Sequence, residues 1–374
     1  MSEKEFSLKG LSFDKKDLKI ISLDELGEKQ ICPGHIIFMS AKFGKPVLLL
    51  RAGDFVDSTF VEKYKAKGQK SFYILQVTND EAIEKFESLW MKVKIAKFEN
   101  ESLLARKELL KYFSEAYWYN DSQSCVLDYY SACFKTFSRL SDEILVQLRE
   151  TSNLLFERAI QVASLSAMVA LAIGYTDFEV ISDVFHVSLL LDFGLTGDKF
   201  SFHIAQACEK ERAMPGEGIK YLKSVNAPQA EIKIFEQHPN LSHLNVFNRC
   251  YGAFYNLEMM KIISYHHENR DGSGLPNKFN FWGLADIDVV PGFVDAMVPH
   301  SEVIYQADNG GGTLKKLVDE LESAKKLDIL PVRRIYDRLT TVMSEALVSK
   351  EETKEEQTEE VAVVGDEPLV KFGS

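Results

Sequence analysis

Adjacent histidines at 266 and 267, followed by Glu268-Asn269-Arg270-Asp271-Gly272-Ser273-Gly274-Leu275-Pro276, constrain this chain more than any other segment. Successive residues of a helix or a strand point in different directions, so neighbouring imidazoles reach one centre most easily where a helix ends and the backbone turns. Asp271-Gly272-Ser273-Gly274 supplies that turn. The segment therefore predicts a metal site at the end of a helix.

At 374 residues the chain exceeds what one hydrophobic core usually organises, which predicts more than one folded part. Residues 1–78 read as a small α/β module. Short apolar runs at Ile20-Ile21, His35 to Phe38, Val47 to Leu50 and Phe72 to Leu75 alternate with Gly34, Gly44, Gly53 and Gly68. A helix over Ser58 to Lys67, capped by Asp57 or Ser58, precedes the last run. Residues 79–150 read as a helical linker or packing segment with amphipathic stretches at Ala82 to Ala96 and Leu103 to Tyr119. Its aromatics, Trp90, Tyr112, Phe113, Tyr117, Trp118 and Tyr119, suit core and interdomain packing, with a dimer helix as the alternative. Residues 151–347 read as an all-helical domain. Residues 348–374 are too acidic and too poor in apolar side chains to bury a core, and predict a solvated tail ending in the apolar patch Pro368 to Phe372.

The balance of 44 basic against 56 acidic residues, a net charge of -12, argues against a nucleic-acid polymer as partner, since that surface needs clustered Lys and Arg. Five scattered cysteines without a CxxC pair fit a reducing cytoplasm. No signal peptide is read at the N-terminus, and the longest apolar run, Ile160 to Tyr175, is interrupted by Gln161, Ser164 and Ser166 and reads as a buried core helix too short for a bilayer. A soluble, cytoplasmic protein without a membrane partner is the expectation.

The string from His266 to Pro276 resembles the signature HHExxDGxGYP of the HD-GYP family, metal-dependent phosphodiesterases of cyclic di-GMP within the HD superfamily. Leu275 stands in place of its tyrosine. The resemblance implies a mainly α fold, an all-helical HD-type domain behind the α/β module, and a metal-ligand set that can be sought position by position. Where the family carries H-x-x-R-V-A, this chain has Arg158-Ala159-Ile160-Gln161-Val162-Ala163, so Arg158 replaces the first histidine. Where it carries A-L-L-H-D-I-G-K, this chain reads Ser188 to Leu195, so Leu191 replaces the histidine of the His-Asp pair, Asp192 remains, and Leu195 replaces a phosphate-binding lysine. His238-Pro239 matches the family's His-Pro segment. Ungapped counting from Pro276 makes Asp295 the closing ligand; alignment by similarity puts Gly292 there, and Asp295 is preferred.

What the resemblance implies is one damaged centre and one retained. The centre held in the family by the first histidine, the His-Asp pair and the closing Asp has lost two nitrogen ligands. The other keeps Asp192, His238, His266 and His267, suited to one Fe, Mn or Zn ion, with no bound metal as the alternative. Arg158 either places its charge where the first metal was, against Asp295 or Asp192, or points outward. The implied function is a catalytically degenerate signalling protein that binds cyclic di-GMP without efficient hydrolysis, or a protein partner such as a GGDEF-type protein, with Asp271, Gly272, Ser273, Gly274, Leu275 and Pro276 as the partner-binding turn. The alternatives are an active cyclic di-GMP phosphodiesterase, with one metal or with Glu157 or Asp183 completing a second site, and a structural scaffold with an N-terminal sensor. A homodimer fits the two-module plan.

Overall fold

A computed structural model describes residues 5–8, 11–39, 45–118, 126–214, 216–268, 272, 274–278, 284–298, 314–323 and 333–346. The chain opens with an antiparallel hairpin, β1 (Glu5–Leu8) and β2 (Leu11–Asp14). Four further strands, β3 (Leu18–Ser22), β4 (Gly34–Met39), β5 (Pro46–Leu50) and β6 (Ser71–Gln76), form an antiparallel sheet in the order β3-β6-β4-β5. These four lie on the four apolar runs read from the sequence, while the hairpin and a short helix α1 (Leu23–Glu28) were not anticipated. Helix α2 (Ser58–Ala66) is capped by Asp57, whose carboxylate accepts the Phe60 N–H at 2.6 Å. Ile21, Leu26, Ile36, Leu50, Val61, Phe72 and Ile74 make the module's own core.

The rest of the described chain is helical: α3 (Asp80–Ile95), α4 (Glu99–Phe113) with a π-helical turn to Trp118, α5 (Leu127–Phe137), α6 (Asp142–Thr151), α7 (Asn153–Ala172), α8 (Phe178–Leu189), α9 (Phe202–Ala213), α10 (Glu217–Ser224), α11 (Gln229–Arg249), a 3-10 helix at Leu257–Tyr265, α12 (Asp286–Met297), α13 (Leu314–Ser323) and a helix over 333–346. The fold is thus mainly α, a helical domain behind an α/β module. Arg149 on α6 ties the two parts together, donating to the Phe55 carbonyl at 3.2 Å and pairing with Asp57. Phe55 itself packs against Phe156 and Phe134 of the helical core.

Helix α7 is the axis of that core, with α4, α5, α6, α8 and α12 all packed on it. It begins earlier than the apolar run suggested, and its segment Leu155–Ala172 is long and apolar enough to cross a bilayer, which corrects the length argument. The segment is wholly buried within the fold, as a predominantly apolar helix must be in a globular core. The aromatics of α3 to α5 go to the same place. Phe86, Trp90, Phe113, Tyr129 and Phe137 are buried, in edge-to-face pairs such as Trp90–Phe137 at 4.9 Å. Cys32, Cys133, Cys208 and Cys250 are free and buried. The acidic tail and Cys125 lie outside the described residues.

His186 shows how tightly α8 is held. Its Nδ1 donates to the Ser182 carbonyl at 2.6 Å and its Nε2 accepts the Arg139 N–H at 3.1 Å, which requires the neutral ring. Burial, with the Arg139 charge nearby, lowers its pKa to about 4. The unfolded chain binds this proton first, so stability is lost as pH falls from about 6.5 towards 4, by on the order of 3 kcal/mol for this group. Urea denaturation at pH 7 and pH 4.5 should show a smaller drop in His186→Gln than in the native chain; equal slopes would refute the assignment.

Candidate metal centre

The site is built where four stretches meet: the turn after α8, the middle of α11, the end of the 3-10 helix Leu257–Tyr265, and α12. Asp192, His238, His266 and His267 are all buried, and each offers a ligand atom within 4.8 Å of the others'. Among the described residues this is the group of His, Cys, Asp and Glu able to hold a metal ion. The imidazole centroids lie 5.2 Å (His238–His266), 4.9 Å (His238–His267) and 4.2 Å (His266–His267) apart.

Local sequence explains the placement. Pro239 inside α11 has no N–H to give the Phe235 carbonyl four residues back, and the His238 Nδ1–H takes that carbonyl at 2.6 Å. The proline thereby fixes the tautomer that turns Nε2 to the site. His266 stands at the C-terminal end of the 3-10 helix, where carbonyls lack helical partners, and its Nδ1–H takes Ile263 O at 2.7 Å. Asp192 is brought against α11 by Gly194. A Cβ there would meet Ser242 N at 2.5 Å and His238 O at 2.7 Å, and the Gly194 N–H donates to Ser242 Oγ at 2.7 Å. Gly292 lets α12 pass the His266 backbone, which a Cβ would approach to 3.0 Å. Asp295 follows one turn later.

With both Nδ1 atoms committed as donors, the Nε2 atoms of His238 and His266 are lone pairs facing each other at 3.3 Å. Asp192 Oδ1 lies 3.3 Å from the first and 3.8 Å from the second, yet has no hydrogen-bond partner, and neither has His267 Nε2. Four converging electron-pair donors with no proton between them fit a cation. Their charge states fit as well. Burial holds His238 and His267 below the ordinary histidine range, so both are neutral ligands. Burial alone would raise Asp192, but the Arg212 guanidinium holds it well below the usual carboxylate range.

Beside this group, where the resemblance puts the damaged centre, stand two guanidiniums. Arg158 on α7 donates to Asp295 Oδ1 at 2.5 Å and to its carbonyl at 2.6 Å. Arg212 on α9 pairs with Asp192 Oδ2, reaches Asp295 Oδ1 at 3.4 Å, and binds Glu209 at 3.2 Å. Both are buried. Asp192 thus turns one oxygen to the histidines and the other to an arginine. Asp295 is not placed with the four ligands, because the arginines occupy its carboxylate and hold it ionised against the effect of burial. The remaining cavity, lined by Arg158, Ser188, Leu191, Asp192 and Asp295 among others, is about 10 Å³, room for one water.

The other expected residues fall as follows. Leu191 is buried on the wall of that cavity. Leu195 is buried in a small apolar cluster with Ile204, Ala207, Leu222 and Phe235, and Leu275 packs partly buried against the same cluster. The Leu275 N–H donates to the His267 carbonyl at 2.9 Å, folding the turn back on the ligand pair. Gly272, Gly274, Leu275 and Pro276 of the expected partner-binding turn are described, while Asp271 and Ser273 lie outside the described residues. Neither alternative ligand reaches the site. Asp183 accepts the Tyr255 and Asn256 N–H groups and pairs with Arg139, and Glu157 faces Asp54. Arg212 went unread in the sequence because no spacing links α9 to the ligand motifs; the one available signal was that two buried carboxylates need more than one cation.

No protein-family model matches this chain, and no curated protein matches it. Among solved structures it is similar to Bd1817, a HDG"Y"P protein from Bdellovibrio bacteriovorus, with 15% identity over 87% of this chain and 99% of that one and a TM-score of 0.38.

Removing one member of a buried ion pair leaves an unpaired charge, which costs about 3–5 kcal/mol. Arg158→Met should therefore destabilise strongly in urea titrations, and Arg158→Met with Asp295→Leu should recover most of the loss. Gly194→Ala should push α11 from the Asp192 turn and weaken binding of Zn(II) or Mn(II) at least tenfold in calorimetry, while far-ultraviolet circular dichroism stays helical.

Proposed function

We propose that this chain is a catalytically degenerate HD-GYP-like signalling protein, which holds one metal ion and binds a protein partner or cyclic di-GMP without efficient hydrolysis. The observation that carries the reading is the division of Asp192. In the family this carboxylate bridges two metals; here Oδ1 faces three histidines and Oδ2 is paired with Arg212. Arg212 and Arg158 supply fixed positive charge where the first ion would stand, and a guanidinium cannot ionise a bound water.

Asp192, His238, His266 and His267 would hold the remaining ion, which supplies Lewis acidity at that point. Two-metal phosphodiester hydrolysis needs a hydroxide between two ions and a clamp on the phosphate oxygen. Among the described residues, the cavity walled by Leu191 and Arg158, on the side where the first ion would stand, is about 10 Å³, too small for a second ion with its hydroxide. Leu195, in place of the phosphate lysine, points its aliphatic chain into an apolar cluster. Positive charge is retained at the site while the means of activating water is reduced, a combination suited to holding a structure or a ligand.

The test is made on protein purified without oxygen and without a metal-affinity tag. Elemental analysis should give one Fe, Mn or Zn per chain, falling to none in His266→Ala with His267→Ala. Cyclic di-GMP supplied with Fe(II) or Mn(II) should be recovered intact. Two ions per chain, or steady turnover of the nucleotide, would overturn the proposal.

A further inference from the structure

Most large apolar side chains of the helical domain are buried, but five stand out of one place, the tip of the α3–α4 hairpin. Met91, Ile95, Phe98, Leu103 and Leu104 are between 44% and 70% exposed. On α3 the core face is Phe86, Leu89, Trp90 and Val93, so Met91 and Ile95, one turn apart, lie on the opposite face. Scattered exposed apolar residues need no explanation, but five at one hairpin tip do.

The same stretch departs from the rest of the chain in charge. Residues 91–111 carry six basic side chains (Lys92, Lys94, Lys97, Arg106, Lys107 and Lys111) against Glu99, Glu101 and Glu108, a net of +3 in a chain whose total is -12. Arg106 is committed to the Leu171 and Ala172 carbonyls and Lys92 to Glu108, but Lys94, Lys97 and Lys107 are exposed, and an apolar tip flanked by them fits a partner that is apolar and acidic.

The chain contains such a partner. Residues 347–374 hold eight acidic and three basic side chains, a net of -5, and end in the apolar run Leu369-Val370-Lys371-Phe372. The described helix that leads into them touches α4. In the helix over 333–346, Met343 Sδ accepts from Ser114 Oγ at 3.1 Å, just beyond the end of α4, and the Glu345 carboxylate acts on Arg106, one turn along α4 from Leu103. Leu369 is 23 positions beyond 346, and a coil of that length covers roughly 25 Å. Helix α4 is itself about 22 Å long. Tethering at this range gives an effective concentration of about a millimolar, so a weak contact is enough to populate the docked state.

We propose that the C-terminal segment docks on the α3–α4 tip, placing Leu369, Val370 and Phe372 on the exposed apolar side chains and the preceding glutamates against the lysines. The chain then covers its own apolar surface, and a competing acidic, apolar peptide from another protein is what would expose it.

Amine-reactive cross-linking of the full chain tests this directly, because Lys371 lies within the docking run. Mixed ¹⁵N-labelled and unlabelled protein should give links from Lys371 to Lys94, Lys97 or Lys107 within single chains only. Those links should fall several-fold in Leu369→Asp with Phe372→Asp, and likewise at 0.5 M salt, where the Debye length is only about 4 Å. Absence of these links overturns the proposal. Links of mixed isotopic composition that grow with protein concentration overturn it too, by making a second copy the occupant.

Discussion

Two carboxylates, Asp192 and Asp295, sit inside an apolar helical core, and the arrangement around them follows from the need to neutralise them. An uncompensated buried carboxylate either takes up a proton or destabilises the fold. Here each finds a buried guanidinium, Asp295 on Arg158 and Asp192 on Arg212, with Arg212 close to both. That requirement draws together α7, α9, α12 and the turn after α8, and so decides where α11 can bring its histidine.

Three local devices set the site on this frame, each using the backbone. Gly194 removes a side chain so that the Asp192 turn can touch α11. Pro239 removes an N–H, freeing a carbonyl to orient His238. The 3-10 helix ends under His266, and its last carbonyls orient that ring in the same way. The histidines are aimed before any ion arrives, which makes a preorganised ligand set out of a cluster that loses little freedom on binding. Asp192 then divides its two oxygens, one towards the histidine group and the other to Arg212.

Much of the plan was legible. The four strands of the module and α2 followed from apolar alternation and turn residues, with Asp57 the cap. The helical domain followed from periodicity together with the family resemblance, and the His-His pair does stand at a helix end. The β1–β2 hairpin and α1 were missed, being too short for periodicity to separate them from loop. The length of α7 was misjudged because Gln161, Ser164 and Ser166 broke the apolar run, although all three are buried in the core helix. Of the placements open to Arg158, the one on Asp295 is found, whereas Arg212 had no sequence signature at all.

By itself the sequence determined what is local or periodic: which segments are helix or strand, where the turns fall, and that an Asp and three histidines of ligand type remain while Arg158 and Leu191 stand where nitrogen ligands are expected. Only the tertiary structure decided the electrostatic partners, because an ion pair between residues 20 or 137 positions apart has no periodicity to betray it. It also decided that Arg158 takes Asp295 and leaves Asp192 to Arg212. Residue identity sets what a side chain is able to bind; packing sets which of its possible partners is within reach when the water has gone.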